Sequence, residues 1–156
     1  MTFQEFLEKQ AYQSHHKERR ERREEWIAAV SRLMEQLRTW LAEADPAGVL
    51  EIVPMELEKA EPGLGSYRIP GLKINLGEAG VQVVPVGRNV VGIVGPQGEV
   101  GVRAEGRVDI TDGIRRYLLY RTFKDGQEQW FALDEHFQAA PLDRGCVERI
   151  LQDLLS

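Results

Sequence analysis

The most regular apolar spacing in the chain lies between residues 26 and 44. Trp26, Val30, Leu33, Leu37, Trp40 and Ala44 recur at alternating intervals of four and three, and Ile27, Met34 and Leu41 widen the stripe. That pattern predicts an amphipathic helix whose buried face is broader than a coiled-coil seam, as suits a helix laid on a sheet or bundle. The prediction extends back to Thr2, because no Gly or Pro occurs before Pro46 and the segment is rich in Glu, Arg, Gln, Leu and Ala. Asp45-Pro46-Ala47-Gly48 then ends it. Its middle is unusual: residues 13–25 (QSHHKERRERREE) contain no apolar side chain, while Phe3, Phe6, Leu7, Ala11 and Tyr12 form a separate apolar cluster ahead of them. A continuous helix from Thr2 to Ala44 is about 65 Å long. A compact domain of this chain length is only about 40 Å across. The helix therefore either breaks and folds back near 13–25 or projects from the body.

From Val49 to Asp134 the periodicity changes to strand and turn, punctuated by Gly and Pro. Val100, Val102, Ala104, Val108 and Ile110 alternate with Arg103, Glu105, Arg107 and Asp109, which predicts one strand with a dry and a wet face. Asp125-Gly126 predicts a two-residue hairpin loop between Tyr117–Phe123 and Gln127–Leu133. In that register Tyr120 faces Phe131, Leu118 faces Leu133, and Arg121 faces Trp130 as a candidate cation–π pair. A second hairpin is expected between Val81–Val86 and Val90–Val94 through Gly87-Arg88-Asn89, with earlier strands near Leu50–Val53, Ser66–Ile69 and Leu72–Leu76. The chain closes on a short helix from about Leu142 to Leu155, with Asp143 as N-cap and Val147, Ile150, Leu151, Leu154 and Leu155 as its buried stripe. The expected fold class is α+β: a long N-terminal helical segment (1–45), then an antiparallel meander of about five to seven strands closed by a short C-terminal helix (46–156), all in one compact domain.

Composition narrows the function classes. The chain has 156 residues, 42% of them hydrophobic and 29% charged, which argues for a globular domain rather than disorder. A net charge of −5 gives no global attraction to nucleic acid or anionic lipid. The single cysteine, Cys146, excludes an internal disulfide framework. No run of about 18 apolar residues suggests a membrane span, and the acidic, polar start Met1-Thr2-Phe3-Gln4-Glu5 does not resemble a signal peptide. The expected location is cytoplasmic.

Candidate chemistry is sparse. The glycines at 87, 92, 95, 98, 101 and 106 are interleaved with Val and Ile and lead into a strand, so they read as turns or bulges rather than a phosphate loop. His15 and His16 diverge by about 100° on a helix and do not suit one metal. His136 stands apart from them, and no zinc-type spacing occurs. No metal, cofactor or catalytic residue is expected. Cys146 falls in the first turn of the last helix, where a helix dipole can activate a thiol and His136 is a conceivable base, but a small core residue is the plainer reading. Asp112 and Asp125 precede glycine and read as turn residues.

Three functional readings remain, in this order. The first is a non-catalytic interaction or accessory protein whose N-terminal helix mediates self-association, as a homodimer, or docking on a protein partner, through Phe3, Phe6, Leu7, Trp26 and Trp40. The second is a nucleic-acid accessory protein using Arg19, Arg20, Arg22 and Arg23. It is not favoured, because Glu18, Glu21, Glu24 and Glu25 offset those arginines and no aromatic side chains are interleaved with them. The third is a ligand-binding or enzymatic site on the charged sheet face around Arg103, Arg107, Asp109 and Arg121.

Overall fold

The chain opens on one uninterrupted helix, α1 (Phe3–Ala44). Thr2 caps it: its hydroxyl accepts from the Glu5 N–H at 3.1 Å while the Glu5 carboxylate accepts from the Thr2 N–H at 3.0 Å. The polar middle does not break the helix, since Gln, Lys, Glu and Arg are good helix formers. At the far end the Asp45 carboxylate accepts from the backbone N–H groups of Val49 (3.0 Å) and Leu50 (2.8 Å) and turns the chain into the sheet. Forty-two helical residues span about 63 Å. Trp26, Ala29, Val30, Leu33, Met34, Leu37 and Leu41 are buried, whereas every residue from 1 to 22 is exposed. The helix therefore projects rather than folding back. Trp40 is half-buried and Ala44 exposed, so the buried stripe ends one turn earlier than its spacing predicts.

The computed structural model describes residues 1–90, 104–134, 136 and 138–156. Among these, seven strands form one antiparallel sheet in sequence order: β1 (Glu51–Glu61), β2 (Gly65–Leu76), β3 (Ala79–Gly87), β4 (Arg107–Thr111), β5 (Arg116–Lys124), β6 (Gln127–Leu133) and β7 (Ala139–Pro141). With the closing helix α2 (Arg144–Leu154), this is the expected α+β class. β1 is much longer than Leu50–Val53; as an edge strand it tolerates Pro54. The two short strands expected at 66–69 and 72–76 are one strand, β2, running through Pro70-Gly71. There the buried set passes from odd positions (Tyr67, Ile69) to even ones (Leu72, Ile74).

Two expectations in the middle of the sheet need correcting. The strand paired with the later half of β3 is β4, not Val90–Val94; residues 91–94 lie outside the described residues. The strand predicted from Val100 to Ile110 begins at Arg107, with Val100 and Val102 also outside them. Nor is its polar face wet. Asp109 is 3% exposed between Val108 and Ile110, because both faces of the sheet are covered here.

One face carries the main core, where α1 and α2 lie over Ile69, Leu72, Ile74, Val81, Val83, Val108, Ile110 and Leu119. The other carries a smaller cluster of Ala104, Tyr120, Phe131 and Leu133. Trp26 anchors α1 from the helix side, stacked on Trp130 at a ring separation of 6.3 Å. Gly106 (φ +148°) lies directly under its indole; a Cβ there would come within 2.1 Å of the Trp26 ring, so only glycine fits. α2 starts as its sequence predicts, with the Asp143 carboxylate accepting from the Cys146 N–H at 2.7 Å, and buries Val147, Ile150, Leu151 and Leu154. No helix among the described residues is long and apolar enough to cross a membrane.

Candidate functional site

Phe3, Phe6 and Leu7 are 75%, 45% and 50% exposed, and the Phe3 and Phe6 rings stack on each other at 6.4 Å. Their direction around the helix follows from its continuity. At about 100° per residue, Phe3 lies about 180° from the core residue Val30, and Leu7 and Phe6 lie about 140° and 120° from it. The apolar end of α1 thus faces away from the side that carries the sheet. A straight helix gives it no route to its own core. Trp26, grouped with these residues by the sequence reasoning, belongs to that core at 0% exposure, and Trp40 lines a groove beside it.

The spacing signal around the exposed end was overlooked. Phe3, Leu7, Gln10 and Ser14 follow intervals of four, three and four, with Phe6 and Ala11 flanking them. That is a heptad seam, and it gives way to Lys17, Glu21 and Glu24 at the next seam positions.

The arginines lie on a different face, in line with the buried stripe. Arg23 donates to the Leu64 carbonyl at 3.2 Å, and Arg19 and Arg23 both lie over Gly65, so these two cover the tip of the β1–β2 hairpin. Arg22 shares a hollow with Glu18, Glu21 and Glu25. Arg20 is exposed. The four do not converge on one basic surface.

The polar residues assigned to the sheet separate onto opposite faces. Arg107 grips Asp109 with two bonds of 2.8 and 2.9 Å, on the face shared with Tyr120. That pairing holds the Arg107 pKa above its usual range. Arg121 points the other way, beneath α1, at 2% exposure. Its Nε donates to Glu128 at 2.7 Å and an Nη to Glu25 at 2.8 Å, and Arg32 reaches the same Glu128 oxygen at 3.0 Å. Burial disfavours the charge of Arg121, but its bonds to Glu25 and Glu128 outweigh that, and its pKa is raised. The register Arg121↔Trp130 is as predicted, yet the cation–π partner is Phe123, 4.7 Å from the guanidinium, because Trp130 is occupied by Trp26. Arg103 lies outside the described residues.

Next to this alternating chain of charges, Trp40, Trp130, Leu142, Gln36, Gln129 and Arg32 help to line an open groove of about 620 Å³ between α1 and β6. Cys146 is buried, and burial pushes its thiol pKa up, the opposite of an activated nucleophile. Among the described residues no group of three His, Cys, Asp or Glu side chains is placed to hold a metal ion.

Comparison with known proteins finds no matching family model and no significant match among curated proteins or solved structures.

Proposed function

We propose that this is a non-catalytic interaction protein in which the body serves as a platform and the projecting half of α1 is the contact element, engaging a second polypeptide and in the first instance another copy of itself. The observation that carries this reading is the placement of Phe3, Phe6 and Leu7, exposed on a capped, continuous helix and turned away from the core they would otherwise join. Exposed aromatic and aliphatic side chains clustered on one helical face are the usual anchors of a helix-mediated contact. The arginine stripe supports a nucleic-acid reading less well, since Arg19 and Arg23 lie over the hairpin tip and Arg22 shares its hollow with Glu18, Glu21 and Glu25 as well as Arg88.

The test is sedimentation velocity over a concentration series on the full chain and on a Phe3→Ser, Phe6→Ser, Leu7→Ser variant. All three positions lie outside the core, so the variant is expected to fold. Self-association in the parent and a monomer in the variant is the expected result. A parent that stays monomeric up to millimolar concentration, or a variant that assembles equally well, would rule out the contact element.

A further inference from the structure

We infer that the partner on this face is a second copy of the chain in parallel orientation, the two α1 helices pairing along Phe3, Leu7, Gln10 and Ser14 with the two sheets on the outside. This rests on the association reading above and specifies its geometry.

Four observations favour that occupant. The seam spacing of four, three and four is the one at which two helices pack knobs into holes. In a parallel pair the residue before each Leu7-type seam position meets, on the partner helix, the residue five further on. Within the strip that rule matches Phe6 with Ala11 and, at its end, Gln13 with Glu18: an apolar pair and a hydrogen-bonding pair, with no like charges.

The third observation is steric. Because the sheet lies on the side of Val30, about 180° around from Phe3, a twofold axis along the back of the helix keeps the two bodies apart. An antiparallel pair confined to the same strip would instead set Phe3 against the partner helix's polar Ser14 and Leu7 against its Gln10, separating the apolar side chains that a parallel pair brings together.

The fourth is the extent of the seam. After Ser14 it turns charged at Lys17, Glu21 and Glu24, so pairing is confined to about three turns. Such a strip is small beside the roughly 800 Å² per partner of a standard stable interface. The structure thus assigns a weak, concentration-dependent dimer. Gln10, polar at a seam position, fixes the register as buried amides do in paired helices.

The experiment is oxidative cross-linking of the full-length chain carrying Leu7→Cys, against Glu8→Cys, about 100° around the helix and off the seam, with masses checked by sedimentation. Native Cys146 is buried and contributes no competing bond. A mixture of Phe3→Cys and Ser14→Cys chains tests the antiparallel arrangement. Residues 3 and 14 of one helix are about 16 Å apart, so any bond between those positions joins two chains. The expected result is disulfide dimers from Leu7→Cys at least tenfold faster than from Glu8→Cys, and a tenfold or greater loss of dimer affinity in Leu7→Glu. Preferential coupling of position 3 to position 14, equal rates for positions 7 and 8, or a dimer that position 7 does not cross-link would each overturn the parallel pair while leaving self-association standing. A chain that is monomeric throughout overturns both.

Discussion

A guanidinium buried to 2% exposure is costly unless its donors are met, and Arg121 meets that requirement with partners from two other elements. Removing it leaves Glu25 without this partner and Glu128 with Arg32 alone, two carboxylates on one small patch beneath α1. Both keep some contact with water, at 47% and 24% side-chain exposure, so the cost falls below that of a fully enclosed pair. Arg121→Met is expected to lose about 2 kcal/mol in urea unfolding, and a second change, Glu128→Gln, to recover part of it. A loss below about 0.5 kcal/mol would mark the cluster as an ordinary surface ion pair. The alternation around Arg121 and its register with Trp130 were legible in the sequence. What covers it was not, because Glu25 sits 96 positions away and alternation reveals which faces are opposed, never what lies on them. The same limit explains Asp109. Its alternation with Val108 and Ile110 was read correctly, but its face is dry rather than wet, because Ala104, Tyr120 and Phe131 form a second core there that alternation does not reveal.

Among the elements, the β5–β6 hairpin was the most fully legible, and its turn gives the reason. Asp125 (φ 52°) and Gly126 (φ 76°) both occupy the left-handed region, the combination a two-residue hairpin loop demands, and few residue pairs other than Asp-Gly and Asn-Gly accept it. Once that loop is fixed, every pair from Lys124↔Gln127 to Leu118↔Leu133 follows by counting. Gly126→Ala should therefore cost about 1 kcal/mol by forcing a Cβ into that conformation, although nothing lies within 4 Å of the added atom. Denaturant midpoints would measure it, and an unchanged midpoint would mean the loop relaxes to another turn type. β1 illustrates the opposite case. Its glutamates, Lys59 and Pro54 weaken any strand signal, and its eleven residues are held by the ladder to β2, a long-range partnership that local propensity does not encode. β7, three residues long, is set by its pairing with β6 alone.

At the scale of the whole molecule, the feature that matters is a continuous helix anchored at one end. The anchored half of α1 is clamped by Trp26, Val30, Leu33, Leu37 and Leu41, while residues 1–22 lie exposed beyond it. A helix without tertiary support is marginal even when capped. The free half should therefore open locally far more often than the anchored half. Amide hydrogen exchange makes this measurable. At low micromolar concentration, protection between Glu5 and His16 should be roughly tenfold or more below that between Ala29 and Leu41. Raising the concentration should then protect residues 3–14 selectively, because pairing along that seam removes the open state by mass action. Residues near Arg19 and Arg23, already resting on the Leu64–Gly65 hairpin tip, should change little. Protection that is high and uniform along α1 at every concentration would mean the helix needs no partner. A concentration-dependent gain centred on 17–24 instead would place the contact on the charged segment. The gain predicted at 3–14 has a physical cause in the same opposition of faces: the helix continues past the core and turns Phe3, Phe6 and Leu7 outward, exposed among the described residues, and pairing with a second copy is the burial proposed for them.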